Sequence, residues 1–294
     1  MPFYDDCQSD YVVGSYNHTE YAPPGQHIHP HYEIMVILDS SKSRISVNGK
    51  RFYTDRPYVA IFSPFCLHQL HYLGEKGTHR FLYYVDESFM EKYSEVFDSF
   101  KIYRQSAAAI FLLPDELVPR LLELNGEALE NSDDPLFSKL LFTASMHVLA
   151  KNKDSCKLIT AGNQMDHMVS VLRYMSEHFH EDITAESVAE HFFMSRAKLN
   201  RDFAEYTGVS FHQFLSELRV NKALFLLKYG YSVSEIAASV GFDNVSYFCK
   251  FFKNMKGVTP LQYAKKSFKR STERPFDLKT GKVVQRSETE IQTK

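Results

Sequence analysis

Long apolar runs and closely spaced cysteines are both missing from this 294-residue chain. No stretch of about 18 apolar residues occurs, which argues against a membrane-spanning helix and a membrane partner. The N-terminal segment MPFYDDCQSD lacks a basic region followed by an apolar one, so we expect no signal peptide and a cytoplasmic location. The four cysteines, Cys7, Cys66, Cys156 and Cys249, lie far apart without CxxC spacing. This pattern is typical of reduced thiols and argues against a disulfide framework or a cysteine-ligated zinc site.

Net charge is also small, and the formal value of −2 for the whole chain gives no sign of a nucleic-acid partner. The charges are unevenly distributed, however. Residues 1–163 carry 15 Lys and Arg against 21 Asp and Glu, a difference of −6, whereas residues 164–270 carry 14 against 11, a difference of +3. We therefore expect an acidic N-terminal part and a modestly basic C-terminal part with separate functions.

Turn residues and short apolar runs alternate in the N-terminal part. The dense run Tyr32–Leu38 predicts a buried strand. Asn48-Gly49 predicts a hairpin between Arg44–Val47 and Arg51–Thr54, because both central residues accept positive φ. Several short strands at such close spacing are typical of a sandwich or a barrel.

Histidines concentrate in the same part, which holds seven of the 13 within its first 80 residues. His27, His29, His31 and Glu33 alternate, so a regular strand would place all four side chains on one face. With His68 one hairpin later, these groups can hold a divalent metal, because imidazole and carboxylate suit iron, manganese, zinc or nickel. The alternative, which we favour, is that these groups line or rim a metal-free pocket or are exposed at the surface. We predict ligand binding by His27, His29, Glu33 and His68, with no metal and no cofactor.

Two helical patterns follow the strands. Pro114–Glu130 begins with proline and acidic residues, and Asp134–Lys151 has Pro135 in its first turn, both of which are helix-start signals. One apolar face of such a pair must pack on the β domain, and a second apolar stripe could bind a partner chain. Packing between domains alone would explain the same stripe.

The C-terminal part contains an internal repeat with an offset of about 48 residues. Thr184–Ala189 lines up with Ser232–Ala237, and Gly208–Phe211 lines up with Gly257–Pro260. A repeat that keeps its apolar positions, a turn and a terminal glycine is one supersecondary unit used twice. Each copy predicts a helix-turn-helix, whose second helix inserts into a DNA groove in many proteins.

The predicted second helices carry side chains suited to reading DNA. Between the two copies, Phe211–Tyr229 predicts a helix of about 27 Å, which could hold the second helices near the ~34 Å spacing of successive major grooves. Arginine pairs with guanine and asparagine with adenine at the major-groove edge. A phosphate contact or a solvated surface is the alternative for each single residue. The predicted DNA-contacting residues are Arg196, Ala197, Lys198, Asn200, Arg201, Asn244, Val245, Ser246, Tyr247 and Lys250.

These motifs resemble the AraC/XylS family of transcription regulators, most specifically over Ile183–Lys266. The resemblance depends on Ser187–Ala189, on Arg219 and Ala223 in the linking helix, and on Ser234–Phe242, Ser246–Phe252 and Gly257–Tyr263. Phe193 departs from the small residue usual in the first turn. The N-terminal part is similar to the cupin-like sensing domain common in that family, at His27, His29, Tyr32, Glu33, Pro64 and His68. The resemblance implies ligand-controlled transcription, often activation with RNA polymerase as a partner, and a homodimer formed through the N-terminal half.

The predicted fold class is α+β with two domains, a cupin-like β-barrel with a helical connector and an all-α double helix-turn-helix. Its segments are a sensing domain at residues 1–112, a connector or dimerisation segment at 113–151, a linker at 152–163, a DNA-binding domain at 164–270 and a flexible tail at 271–294. We predict a sequence-specific, DNA-binding activator of transcription that responds to a small molecule such as a sugar and is not an enzyme. The alternatives are a metal-dependent cupin enzyme fused to a DNA-binding module, and a regulator controlled by a protein partner.

Overall fold

A computed structural model describes seven stretches of the chain. They are residues 11–15, 26–40, 42–72, 79–100, 106–161, 167–227 and 231–267. The predicted tail at 271–294 lies outside the described residues. None of the helices in these seven stretches is long and apolar enough to cross a membrane.

The strands form where short apolar or alternating runs are bounded by turn residues. Their bounds are β1 Tyr11–Ser15, β2 Tyr32–Ile37, β3 Ser43–Val47, β4 Lys50–Thr54, β5 Tyr58–Phe62, β6 His68–Tyr72, β7 Arg80–Val85, β8 Ala108–Leu112 and β9 Lys157–Ala161. The predicted hairpin is confirmed, because β3 pairs with β4 across Asn48 and Gly49, whose φ angles are 46° and 79°. A glycine and an asparagine meet this demand for positive φ with little strain.

Two antiparallel sheets result. One has six strands in the order β1-β7-β2-β5-β8-β9, and the other has three in the order β4-β3-β6. Among the described strands the two sheets share no ladder, and only an isolated bridge joins His27 to His68. The predicted antiparallel β domain is therefore confirmed, whereas a closed cupin-like barrel is not, because the edge strands that the structure describes do not pair between the two sheets.

The central strand β2 is buried on both faces, which explains its continuous apolar sequence. Ile34 and Val36 belong to the cluster that includes the helices covering the large sheet. Met35 and Ile37 alternate with them and pack with residues of the small sheet. The space between the sheets is therefore a second apolar layer, and Glu33 enters it as a charged residue.

Four helices cover the outer face of the large sheet. They are α1 Glu87–Lys92, α2 Ser94–Phe97, α3 Val118–Glu130 and α4 Pro135–Lys151. The predicted starts of the last two differ slightly, because a 3₁₀ turn at Asp115–Leu117 precedes α3 and Asp134 caps α4. Phe142, Met146 and Leu149 of α4 pack into the sheet core. Asn125 of α3 accepts a hydrogen bond from the Tyr83 hydroxyl at 2.7 Å, which satisfies a buried polar pair.

A ninth strand lies within the segment predicted as a linker. β9 pairs with β8 in antiparallel register, with Leu112 opposite Lys157 and Ala108 opposite Ala161. The sequence Lys-Leu-Ile-Thr-Ala is too short for its periodicity to distinguish strand from loop, and pairing with β8 decides the matter.

The C-terminal part is helical in every described element. Its helices are α5 His167–His178, α6 Ala185–His191, α7 Arg196–Thr207, α8 Phe211–Leu226, α9 Val233–Ser239, α10 Val245–Lys256 and α11 Pro260–Ser267. A helical C-terminal domain is thus confirmed. The chain divides into two compact units, Met1–Tyr174 with Arg201–Val209, and Met175–Asn200 with Ser210–Lys294.

Candidate nucleic-acid interface and ligand site

The first repeat folds as two capped helices joined by a tight turn. Thr184 and Ser187 form a capping box at the start of α6, in which the Thr184 hydroxyl accepts from the Ser187 amide at 3.1 Å and the Ser187 hydroxyl accepts from the Thr184 amide at 2.9 Å. Ser195 accepts from the Lys198 amide at 3.2 Å at the start of α7. These side chains satisfy amide groups that the first helical turn leaves without backbone partners.

The second repeat has the same kind of helix caps, formed by different residues. Ser232 and Glu235 form the capping box of α9, with contacts of 3.2 and 2.7 Å. Asn244 caps α10, because its Oδ1 accepts from the Tyr247 amide at 2.9 Å. A bidentate contact to adenine needs that same oxygen, so the cap and the predicted base contact of Asn244 compete.

Backbone hydrogen bonds show that the two turns are equivalent. The Met194 amide donates to the Ala189 carbonyl at 2.8 Å, and the Phe242 amide donates to the Ala237 carbonyl at 2.9 Å. Both alanines are buried, as expected where helices cross closely and a larger side chain would separate them. The internal repeat in the sequence therefore corresponds to a repeated structure.

Burial separates the two faces of the second helices. Leu199 and Phe203 of α7 and Phe248 and Phe252 of α10 are fully buried. All ten residues predicted to contact DNA are exposed. They are Arg196, Ala197, Lys198, Asn200 and Arg201 on α7, and Asn244, Val245, Ser246, Tyr247 and Lys250 at the N-terminal end of α10. Each helix thus presents one polar surface that includes basic groups and is open to solvent.

The basic groups of α7 lie near carboxylates but remain exposed. Arg196 Nη1 lies 3.9 Å from Glu186 Oε2, and Arg201 Nη2 lies 3.1 Å from Asp202 Oδ1. Exposed ion pairs of this kind contribute little to stability. An incoming phosphate or base edge can therefore replace the carboxylate at small cost.

Arg219 of α8 contacts both the segment just after α5 and the turn of the second repeat. Its Nε donates to the Phe179 carbonyl at 2.7 Å and its Nη2 donates to the Glu181 carbonyl at 2.8 Å. Its guanidinium lies 5.7 Å from the centre of the Phe242 ring. Burial lowers the pKa of Arg219, although Asp243 and Asp182 oppose the shift. Sequence reasoning gave Arg219 no structural role, since its partners lie about 40 positions away.

The four predicted ligand-binding residues come together in the N-terminal unit. Glu33 lies on β2 and His68 begins β6. The His27 amide and carbonyl pair with the carbonyl and amide of His68, both at 3.0 Å, and the Phe65 amide donates to the His29 carbonyl at 2.8 Å. These backbone bonds hold the two histidine-bearing segments side by side.

Three imidazoles converge on one carboxylate oxygen. The Nε2 atoms of His29, His68 and His27 lie 2.8, 3.2 and 3.6 Å from Glu33 Oε2. One nitrogen or oxygen atom from each of the four residues lies within 4.8 Å of the others, and all four residues are buried. His31 is not part of this cluster. The segment before β2 is not a regular strand, so the simple alternation that would include His31 is wrong.

The other ring nitrogens of the cluster are held by the backbone. His29 Nδ1 lies 3.0 Å from the His31 carbonyl, and His68 Nδ1 lies 2.9 Å from the Cys66 carbonyl. Aromatic rings enclose the cluster. Phe62 stacks on His68 at 4.2 Å, and Tyr84 meets His29 edge-on at 5.2 Å. Sequence reasoning missed these two aromatic residues, although both lie directly opposite Glu33 on the neighbouring strands.

Burial and the neighbouring polar groups together set the protonation of the cluster, with different outcomes for different residues. It lowers the pKa of His29 to about 4, outweighing the opposing effect of Glu33. For Glu33, burial alone would raise the pKa, but His68, His27 and His29 together hold it well below its usual range. Burial and the nearby Glu33 raise the pKa of the Cys66 thiol. At neutral pH the site therefore combines an ionised carboxylate with at least one neutral imidazole.

Comparison with known proteins places the C-terminal part in a helix-turn-helix domain family, which matches residues 188–266. The regulatory protein PocR of Salmonella typhimurium is 35% identical over 97 residues, covering 33% of this chain and 32% of PocR. The transcriptional activator RhaS of Salmonella schwarzengrund is 31% identical over 139 residues, covering 46% of this chain and 49% of RhaS. The alignments thus span less than half the length of these relatives.

Solved structures also match this part of the chain. The C-terminal domain of AraT, a response regulator from Geobacillus stearothermophilus, is 33% identical and superposes with a TM-score of 0.35. The match covers 37% of this chain and 92% of that domain. Together with the repeated helix-turn-helix geometry, the family match defines the class: the C-terminal part is a helix-turn-helix domain of the AraC type. The resemblance seen in the sequence is thereby confirmed for this domain.

Proposed function

We propose that this protein is a sequence-specific, DNA-binding regulator of transcription. The observation that carries the proposal is the twofold helix-turn-helix, in which each second helix buries its apolar face and exposes a polar face with basic groups. The sequence similarity to PocR and RhaS, which are named as regulators, supports the same function. DNA contacts are assigned to the ten exposed residues of α7 and α10 named above. Arg201 and Lys250, which occupy equivalent positions in the repeat, supply one positive charge each.

Control by a small molecule is the second part of the proposal. The buried cluster of His27, His29, Glu33 and His68 is a polar site inside an otherwise apolar layer between two sheets. Polar side chains cost free energy in such a layer unless they are paired or bind something, which supports a ligand-binding role. A polar effector such as a sugar suits this chemistry, and the proposed response is activation through RNA polymerase.

The proposed assembly is a homodimer formed through α4. Leu136 and Leu140, one helical turn apart on this helix, are 65% and 51% exposed, and Phe137 between them is 43% exposed. A second copy is the occupant that we propose, because the modest charge of the helical part makes binding by one subunit weak and salt-sensitive. When two DNA-binding domains are linked in a dimer, binding of the first raises the effective concentration of the second at the DNA and so increases the affinity.

Binding and sequencing of genomic fragments by the full-length protein tests the proposed function. We expect enrichment of a motif with two major-groove half-sites, and an affinity for that motif at least about 10³-fold tighter than for unrelated DNA at the same salt concentration. Transcription in vitro from an enriched promoter then measures the sign of regulation with purified RNA polymerase. Equal affinity for all fragments would contradict sequence-specific regulation.

The enzyme alternative makes a different prediction. A metal-dependent enzyme would turn over a substrate at the histidine cluster whether or not DNA is bound. A regulator without a small ligand would show no thermal shift in a metabolite screen, because any ligand that binds only the native state must stabilise it. A substrate-turnover assay and a thermal-shift screen of metabolites therefore separate these two alternatives from the proposed sensor.

A further inference from the structure

Phe193 lies in the turn of the first helix-turn-helix unit, between α6 and α7. Its side chain is 99% exposed, more than any other large hydrophobic side chain in the described part of the chain. Its φ angle of 55° falls in the left-handed region, which is unfavourable for a residue with a Cβ atom. In the free protein, this residue therefore combines backbone strain with an apolar ring in water.

The second repeat has neither feature at the equivalent position. Gly241 adopts a φ angle of 83° without strain, because it has no Cβ atom. A Cβ atom there would lie 2.9 Å from the His180 carbonyl oxygen, so the second turn is covered by its own chain. The Phe193 side chain has no such cover. A glycine would suit the fold of the first turn better, and the fold alone therefore does not explain the phenylalanine.

The way in which a helix-turn-helix binds DNA indicates where this turn lies. The second helix enters the major groove with its N-terminal residues at the base edges, while the first helix crosses the sugar-phosphate backbone. Phe193 belongs to the turn that joins these two helices, and it precedes Ser195, the cap of α7, by two residues. Two residues span at most about 7 Å of chain. The Phe193 ring therefore lies beside the rim of the groove that α7 enters.

DNA offers apolar atoms at that rim. They are the carbon atoms of deoxyribose along the backbone and the C5 methyl group of thymine at the major-groove edge. Alanine and phenylalanine side chains make apolar contacts with thymine methyl groups. Ala197, in the first turn of α7, is exposed as well. Phe193 and Ala197 thus place two exposed apolar side chains beside the exposed basic groups of Arg196 and Lys198.

We propose that Phe193 contacts DNA at the rim of the major groove that α7 enters, where its ring packs on apolar atoms of the DNA. This inference rests on the proposed DNA binding and extends it by a residue outside the two second helices. Covering the ring removes apolar surface from water, which contributes to affinity without releasing counterions. The backbone strain is present in the free and in the bound protein, so it does not oppose binding.

The test compares the full-length wild type with Phe193→Gly, Phe193→Ala and Phe193→Tyr by fluorescence anisotropy on an enriched genomic fragment. Loss of the ring in the first two variants should weaken binding by about 5- to 10-fold, the effect of covering roughly half of a phenylalanine side chain. Phe193→Tyr keeps the ring and should bind as the wild type does. Phe193→Gly should also unfold at a higher denaturant concentration, so its weaker binding cannot result from unfolding. Tyr53→Ala is the matched control, because it removes a 63% exposed aromatic side chain from β4 and should leave the affinity unchanged.

Two further measurements identify the DNA atoms that the ring contacts. The slope of log affinity against log salt concentration should be the same for Phe193→Gly and the wild type, whereas loss of a phosphate contact lowers this slope by about 1. Replacing thymine by deoxyuridine in the half-site removes only methyl groups. A loss of affinity that occurs in the wild type and not in Phe193→Gly assigns the ring to a thymine methyl group. No loss in the wild type assigns the ring to deoxyribose.

Wild-type affinity in both Phe193→Gly and Phe193→Ala would overturn the proposal. If these variants bound DNA normally but no longer supported transcription with purified RNA polymerase, the ring would belong to a contact with the polymerase, and the proposal would again be wrong. In both cases specific DNA binding by the wild type leaves the proposed regulator standing. A wild type without specific DNA binding contradicts the proposed function and this inference with it.

Discussion

Phe193 and Gly241 occupy the same left-handed position in the turns of the two helix-turn-helix units. Their φ angles are 55° and 83°, and their amides donate to Glu190 and Ala238 at 3.0 and 3.2 Å. Glycine adopts this conformation without strain, whereas a residue with a side chain does not. The Phe193 ring is 99% exposed, so burial does not compensate for the strain.

Phe193→Gly is expected to stabilise the protein by about 0.5–1 kcal/mol. Relief of left-handed strain gains about 1–2 kcal/mol, and the greater freedom of glycine in the unfolded chain offsets part of this. Denaturant unfolding of the full-length protein measures the change. Phe193→Ala is the control, because it removes the exposed ring and keeps the strain. If alanine stabilised as much as glycine, exposure of the ring rather than the backbone would be the cause.

Gly241→Ala is expected to destabilise the protein by at least about 2 kcal/mol, the sum of left-handed strain and a steric clash. A Cβ atom there would lie 2.9 Å from the His180 carbonyl oxygen and 3.0 Å from the Arg219 guanidinium. Gly257→Ala provides the matched control, since Gly257 has a φ of 75° but open space around it. Gly257→Ala should lower the free energy of unfolding by only about 1 kcal/mol. Equal losses in the two variants would show that contact with Arg219 is unimportant.

Arg201→Ala is expected to weaken DNA binding by about 1–3 kcal/mol on the preferred sequence and much less on unrelated DNA. Arg201 is exposed and its partner Asp202 is on the same helix, so the variant should fold normally. Fluorescence anisotropy with both DNA types measures the difference. Arg120→Ala removes a positive charge from α3 and should change neither affinity. Equal weakening on all sequences would identify Arg201 as a phosphate contact instead of a base contact.

Asp39→Ala is expected to cost about 3–5 kcal/mol, because it removes the carboxylate that is paired with a buried arginine. The Arg80 side chain is fully buried, and its Nε donates to Asp39 Oδ2 at 2.8 Å. Glu123→Ala removes the carboxylate of the exposed pair with Arg120 and should cost less than about 1 kcal/mol. Thermal and denaturant unfolding compare the two variants. A small loss for Asp39→Ala would mean that water or another group replaces the carboxylate.

Leu136→Lys combined with Leu140→Lys is expected to convert the proposed dimer into a monomer. Both side chains are largely exposed on α4, so the monomer should keep its fold, whereas a dimer interface would bury two unpaired charges. Sedimentation equilibrium over a range of concentrations measures the change. Leu261→Lys, on α11, should leave the assembly unchanged. A wild-type protein that stays monomeric at all concentrations would contradict the proposed interface.

Local sequence by itself determined the helical part of this protein. Thr184, Ser195, Ser232 and Asn244 cap helices by bonds to amides three residues ahead, so their effect can be read from a short window. The spacing of Leu199, Phe203, Phe248 and Phe252 likewise fixes which face of each second helix is buried. The Asn48-Gly49 hairpin belongs to the same group, because its turn needs only two residues with positive φ.

Only the tertiary structure decided how distant segments meet. His68 reaches Glu33 across 35 residues through pairing between segments, and the irregular segment before β2 excludes His31 from the cluster that simple alternation predicts. β9 forms because β8 offers it a partner, and within the described strands the two sheets share no ladder. Such outcomes depend on the competition between long-range contacts and chain entropy, and the local periodicity of the sequence contains no information about that competition. The convergence of His27, His29 and His68 on Glu33 likewise requires those segments to lie side by side.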